Sequence, residues 1–190
     1  MSEKNEKAIQ AMRDFLEAIG VDLKARGMEK TPERVAKMYA YLFNGMNRKT
    51  ADIWGETFAS DASGLVAVRH IPFYSMCEHH LVPFFGEVNI AYLPNNGCVA
   101  GFSKFVDVVE CLSHQPQLQE RLTAQIAHSV LEELKAKGVL VTVSAQQLCM
   151  TMRQQAAQGT RTVTSEAGGI FLDEPILLQQ AWCLLGGKAE

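Results

Sequence analysis

The sequence predicts an α+β fold in which an antiparallel sheet carries helices on one face. Segments with helical periodicity and segments rich in β-branched residues come in pairs along the chain, in the order helices, strands, helices, strands. The 190 residues are 47% hydrophobic and 21% charged, an ordinary globular composition that can bury a core. We divide the chain into an N-terminal helical region, residues 1–64, and a sheet-containing domain, residues 65–190, which act as one functional unit.

Two helices are expected at the start of the chain. Apolar residues recur at helical spacing over residues 6–26, and Gly27 follows the last turn. A second helix begins at Thr31, which offers a capping hydroxyl, and it stops at Asn44. Residues 47–64 show only weak periodicity and are interpreted as a loop.

A hairpin-like pair of strands is expected next. Residues 65–71 are β-branched and apolar and end at Pro72, so they predict a strand that leads to Cys77 on the following connection. Residues 85–92 alternate in polarity as a second strand, and residues 94–97 have the composition of a turn.

The second half of the chain repeats this order. Ser103 is expected as the N-cap of a helix, and a longer helix covers residues 116–137. Strands are predicted from residue 139 through to residue 152 and over residues 161–165. A last helix over residues 174–185 is apolar enough to bury against another chain.

Charge and cysteine content narrow the class of protein. The net charge of -3 gives no electrostatic footprint for nucleic acid or an anionic membrane, so local Lys and Arg side chains must hold any phosphate. The N-terminus is polar, and no apolar run is long enough to cross a bilayer, so we expect a soluble, unexported protein. Scattered cysteines fit the reducing cytoplasm, and we expect Cys98, Cys111 and Cys183 to be packing residues.

The remaining cysteines predict a metal site. Cys77 and His80 lie three residues apart, and with the distant Cys149 they supply the soft and borderline ligands that zinc selects. Three protein ligands leave a fourth position for water, which is typical of a catalytic zinc site. His79 is an alternative ligand to His80, but adjacent residues rarely turn towards one ion. The competing interpretation is that these are ordinary core residues.

The same stretch carries a resemblance to a known family. Residues 77–84 read Cys-Glu-His-His-Leu-Val-Pro-Phe and resemble the signature of GTP cyclohydrolase I. Three further stretches are similar to the family and stand in its order: Lys-Thr-Pro-Glu-Arg-Val-Ala-Lys-Met at 30–38, Gly-Phe-Ser-Lys at 101–104, and Gln-Leu-Gln-Glu-Arg-Leu-Thr at 117–123.

The resemblance implies a fold and a reaction. Members are Zn2+ enzymes that open the imidazole ring of GTP and release formate and 7,8-dihydroneopterin triphosphate. They have the tunnelling fold, in which sheets of several subunits close into a barrel. The implied assembly is a homo-oligomer, a decamer of two pentamers, with the active site between chains. Residues 65–190 would then be the tunnelling-fold catalytic domain.

The resemblance also assigns roles to side chains. His79 would be the acid/base group beside the metal, while Glu120 would accept hydrogen bonds from N1 and N2 of guanine and Gln119 would be a second base contact. Ser103 and Lys104 would meet ribose or phosphate. Without the family match, a solvated helix face would explain the residues around Glu120 equally well.

Further basic residues are candidates for the phosphates. Arg153 is the stronger candidate among them. Lys30, Arg34 and Arg161 are as readily plain surface charges.

The chain departs from the family pattern at positions that bear on chemistry. Gln147 stands where the family has a second acid/base His, and it has no proton to exchange near neutral pH. Asp107 replaces an Arg that contacts triphosphate, which reverses the charge there. Gln154 replaces a Gly after Arg153.

These departures leave three functions open. The first is the full conversion of GTP. The second is a diverged paralogue that stops at the formamidopyrimidine nucleotide or takes a guanine nucleotide with fewer phosphates. The third is a non-catalytic, zinc-stabilised oligomeric binding protein, which His79 and Glu120 argue against.

Overall fold

The computed structural model describes residues 3–60, 64–96, 98–154 and 157–186. The chain forms two compact units, Met1–Asn44 and Gly45–Glu190. This division differs from the expected one at residues 64 and 65, because the segment after Gly45 packs within the second unit. The Gly45 amide, for example, donates to the carbonyl of His114 at 3.0 Å.

The first unit holds two helices, α1 (Glu3–Ala18) and α2 (Thr31–Leu42). The expectation that the first helix reaches residue 26 is wrong, because Gly20 adopts φ 88° and its amide turns back to the carbonyl of Glu17. The second helix is confirmed, but Thr31 is its first residue and makes no side-chain cap.

The segment expected to be a loop contains regular structure. It forms a short helix, α3 (Thr50–Trp54), and a strand, β1 (Phe58–Ala59), that pairs with β4 (Cys98–Val99). Trp54 anchors it, since its Nε1 donates to Ser129 Oγ at 2.9 Å and its ring meets Phe105 edge-on. Two buried residues in a polar stretch are too few to show a helical period.

The second unit is built on a five-stranded sheet whose strand order is β5-β2-β3-β6-β7. All pairings are antiparallel except that of β5 with β2. The strands are β2 (Val66–Cys77), β3 (Pro83–Leu93), β5 (Pro116–Gln117), β6 (Gly138–Gln147) and β7 (Thr162–Gly169). The α+β class is therefore confirmed.

Strand β2 runs further than the sequence predicted, through Pro72 to Cys77. A proline is tolerated there because β5 pairs with β2 at Met76 and Cys77, which leaves the outer side of Pro72 at a sheet edge. The consequence for function is that Cys77 ends a strand instead of lying on a loose connection.

Helices α4 (Phe102–Ser113) and α5 (Gln119–His128) cover one face of the sheet. They bury it together with alternating strand residues: Val88, Ile90, Tyr92, Val139, Val141 and Val143. The last helix, α7 (Pro175–Leu184), packs instead with Ala91 and Leu140, which alternate to the opposite face. The expectation of helices on one face is therefore wrong for α7.

Several expected boundaries in this half differ from the structure. Gly101, not Ser103, is the N-cap residue of α4. The predicted helix over residues 116–137 gives way to strand β5 at its start, and α5 passes into a π-helical turn, Ser129–Glu133.

Strand β6 ends earlier than predicted and is followed by a helical turn, α6 (Leu148–Thr151). The Thr151 hydroxyl donates to the carbonyl of Gln147 at 3.3 Å, and the Met152 amide to that of Leu148 at 3.0 Å. Cys149 is thus presented by a tight turn at the end of a central strand.

The cysteines expected to be packing residues differ in burial. Cys111 is buried in the core, and burial raises the pKa of its thiol. Cys183 is exposed, so the packing prediction is wrong for it. Gly97 and the Cys98 side chain lie outside the described residues. No helix among the described residues is long and apolar enough to cross a membrane.

Candidate metal centre

The turn between β2 and β3 places Cys77 and His80 on the same side. The Cys77 amide donates to the carbonyl of Val82 at 2.9 Å, and the Leu81 amide donates back to the carbonyl of Cys77 at 2.8 Å. Leu81 has φ 50°, the left-handed conformation that closes this turn. The backbone thereby holds the two candidate ligands in a fixed relation.

The structure brings the three predicted ligands together. The ligand atoms of Cys77, His80 and Cys149 all lie within 4.8 Å of one another, and Cys77 Sγ is 3.8 Å from His80 Nδ1. A tetrahedral Zn2+ ion with bonds of about 2.3 Å to sulfur and about 2.0 Å to nitrogen separates its ligand atoms by roughly 3.6–3.8 Å. The donor set and the spacing fit a metal ion.

The environment of the thiols supports the same conclusion. Burial raises the pKa of the Cys149 thiol, and the neighbouring Cys77 raises it further. The Cys149 thiol is therefore poorly suited to carry negative charge by itself, whereas a bound cation would stabilise its thiolate. Cys77 is buried while His80 is exposed, so the cluster opens to solvent on the histidine side.

Arg153 meets the other nitrogen of the same histidine. Its Nη1 lies 3.1 Å from His80 Nε2, and a guanidinium can only donate, so Nε2 accepts in this contact. A metal on Nδ1 would leave the ring proton on Nε2, which would then face a second donor. The contact therefore belongs to a His80 ring whose Nε2 carries no proton.

His79 lies beside the cluster and faces solvent. Its side chain is 63% exposed, and its ring centroid is 6.2 Å from that of His80. His79 Nε2 is 3.9 Å from Glu78 Oε1. The structure therefore places an accessible imidazole next to the candidate metal ligands.

Glu78 is a residue that the sequence interpretation missed. Both of its carboxylate oxygens accept from Arg121, at 2.6 Å from Nη1 and 3.0 Å from Nη2. Arg121 holds the pKa of the Glu78 carboxyl below its usual range. Glu78 directly follows Cys77, and Arg121 directly follows Glu120. Two opposite charges, each next to a candidate site residue, were the signal available in the sequence.

Gln147 and Gln119 are joined directly. Gln147 Nε2 donates to Gln119 Oε1 at 2.7 Å. Gln119 is 3% exposed, and its own Nε2 donates to the carbonyls of Val143 and Thr162, both at 3.0 Å. The Gln119 amide is thus engaged with the sheet, while Glu120, the next residue on α5, is exposed.

Lys104, one of the two candidate phosphate contacts on α4, lies at a cavity that no candidate metal ligand lines. Lys104 and Asp107 line a cavity of about 480 Å³ together with Arg48 and Lys49. Among the described residues, no hydrogen bond or ion pair joins Ser103 or Lys104 to the metal cluster. Arg161 donates to the Ser144 hydroxyl and carbonyl, both at 3.0 Å.

Comparison with known proteins gives a consistent answer. The family model for GTP cyclohydrolase I matches residues 8–185. A protein named GTP cyclohydrolase 1 from Bacillus subtilis strain 168 is 47% identical over 175 residues, 92% of each chain. One of the same name from Lysinibacillus sphaericus is 46% identical over 90% of each chain, and one from Streptococcus agalactiae serotype V is 46% identical over 96% of each.

Proposed function

This chain belongs to the GTP cyclohydrolase I family, and on that premise we propose that it converts GTP and water to 7,8-dihydroneopterin triphosphate and formate. It is a hydrolase of the class that acts on a C–N bond of a cyclic amidine. The observation that carries the proposal is the convergence of Cys77, His80 and Cys149 at the ends of β2 and β6, the two strands that flank β3 in one sheet.

The metal that these residues would hold is Zn2+. Bound there, it would supply Lewis acidity and a water that loses its proton near neutral pH, which hydrolysis at C8 of guanine requires. The fit rests on two sulfurs and one imidazole nitrogen at ligand spacing, an N/S set that zinc prefers and magnesium does not.

The other residues would handle the substrate. His79 is accessible beside the cluster and would exchange a proton with the purine as the ring opens. Glu120 is exposed on α5 and would accept from N1 and N2 of guanine, a pair of donors that adenine lacks. Arg153, which lies beside His80, would bind a phosphate, and Ser103 and Lys104 would contact ribose or phosphate.

A second candidate function rests on Gln147. Its neutral amide is held by Gln119 and cannot act as an acid or base in the steps after ring opening. The chain would then stop at the formamidopyrimidine nucleotide. Asp107, in a cavity with Lys104, favours a guanine nucleotide with fewer phosphates. A non-catalytic zinc-stabilised oligomer remains the third candidate, and only absence of turnover would support it.

We further propose that the protein works in the cytoplasm as a homo-oligomer, the decamer of two pentamers that the family resemblance implies. In that assembly the tunnelling-fold sheets close into a barrel. Support comes from β7, the last strand in the order of the sheet, which presents an exposed Val163.

Formate release from GTP tests the proposed function. The zinc-loaded protein should release formate, and both the metal-stripped protein and Cys149→Ala should release none. Metal content measured on the same samples links the loss to zinc. Formate release that persists after the zinc has been removed would refute the proposal.

A further inference from the structure

The ion pair between Glu78 and Arg121 has a two-bond geometry that fixes the orientation of both side chains. Both carboxylate oxygens of Glu78 engage the guanidinium, at 2.6 Å and 3.0 Å. A paired fork of this kind fixes the planes of both groups, whereas a single contact lets them rotate.

The pair contributes little to the stability of the fold. The Arg121 side chain is 44% exposed and that of Glu78 27%, and exposed ion pairs are screened by water. We therefore look for its effect in the relative position of the two elements that the ion pair joins.

Those elements are the Cys77–His80 turn and the start of α5. Cys77 pairs in parallel register with Gln117, and the Glu78 amide donates to the Gln117 carbonyl at 3.0 Å. The side-chain fork adds a second link, one turn further along, from Glu78 to Arg121 on α5. A single link would allow the turn to rotate relative to α5, whereas these two links at different points prevent that rotation.

We propose that Glu78 and Arg121 are a positioning pair, which fixes the Cys77–His80 turn relative to Glu120 so that C8 of a bound guanine meets the metal. The inference rests on the proposed function, since it takes Glu120 as the guanine contact. Glu78 follows Cys77 directly, and Arg121 follows Glu120 directly, so a shift of either partner moves a group that holds substrate or metal. A displacement of about 1 Å at a reacting centre costs on the order of 100-fold in rate.

A double-mutant cycle on zinc-loaded protein tests the pair. Glu78→Gln and Arg121→Gln should each lower kcat for GTP by roughly 10-fold to 100-fold. The double variant should lose about as much as one single variant, because the pair acts as a unit. Arg121→Lys, which keeps the charge and loses the fork, should also lower kcat. Losses that multiply in the double variant, or single variants with native kcat, would overturn the inference.

The control is the exposed pair Lys7–Glu3 on α1, 2.7 Å apart. Lys7→Gln should leave kcat unchanged. If every variant keeps the native melting temperature, the effect is not one of folding.

A spectroscopic measurement separates this inference from the proposed function. Co2+ in the cluster gives an absorption spectrum that reports the ligand geometry. Both single variants should change that spectrum, and the double variant should show the same change. If the native protein releases no formate, the proposed function fails, and the spectra still decide the pair. Spectra identical to the native one would overturn it.

Discussion

Gln147 Nε2 donates to Gln119 Oε1 at 2.7 Å, which ties the end of β6 to the first residue of α5. One end of this bond lies two residues before Cys149, and the other lies one residue before Glu120. The amide at the family's second histidine position is therefore hydrogen-bonded to the residue that precedes the candidate guanine contact, and it has no titratable proton near neutral pH.

Replacing this amide by histidine is the first prediction. Gln147→His should raise the rate of dihydroneopterin triphosphate formation by on the order of 100-fold if acid–base chemistry at this position limits the later steps. Loss of the bond to Gln119 should cost about 1 kcal/mol of stability. The products are followed by absorbance and chromatography. Gln147→Asn is the matched control, and an equal response of both variants would contradict the prediction.

The second prediction concerns zinc. Cys149→Ala leaves Cys77 and His80 as the remaining ligands, so zinc affinity should fall by roughly 100-fold or more. Chelator competition and metal analysis measure it. Cys183→Ala is the control, because Cys183 is exposed on α7 and outside the cluster. Unchanged zinc content in Cys149→Ala would rule out Cys149 as a ligand.

The third prediction concerns the phosphates. Asp107→Arg adds a cation to the cavity that holds Lys104, Arg48 and Lys49, and it should lower KM for GTP relative to GMP by about 10-fold, or about 1.4 kcal/mol. Asp107→Asn, which only removes the negative charge, should give a smaller change of the same sign. Equal effects on GTP and GMP would show that the cavity does not select by phosphate number.

The fourth prediction concerns the sheet. A Cβ at Gly86 would overlap the carbonyl oxygen of Ser144 on the paired strand, so Gly86→Ala should destabilise the fold by about 3 kcal/mol. Denaturant unfolding measures this free energy. Gly64→Ala, where nothing lies within 4 Å of the added carbon, should be neutral. A Gly86→Ala variant of native stability would mean that the Ser144 carbonyl oxygen does not lie against Gly86.

Much of this arrangement could be predicted from the sequence because the signals are local. The spacing of Cys77 and His80 predicts a pair of metal ligands, and the β-rich stretches predict the central strands. The elements that the sequence did not predict are those that depend on contacts between residues far apart in the chain. The helix α3 depends on the hydrogen bond from Trp54 to Ser129. The extension of β2 through Pro72 depends on the outer edge of β2, which β5 pairs with only at Met76 and Cys77.

The pairing of Glu78 with Arg121 shows the same limit at the site. Each residue is individually unremarkable, since exposed charges are common on helices and turns. Only the register of β5 beside the end of β2 brings them within hydrogen-bonding distance. A sequence pattern can propose which side chains carry chemistry, but such contacts across elements decide how they are held.

The most direct test of the proposed function is the mass of the product that the zinc-loaded protein makes from GTP. Dihydroneopterin triphosphate, together with one formate per GTP consumed, is the predicted result. A product one water heavier than GTP, with the formyl group retained, would contradict it and identify a chain that stops at ring opening. Unchanged GTP would leave the non-catalytic oligomer as the function.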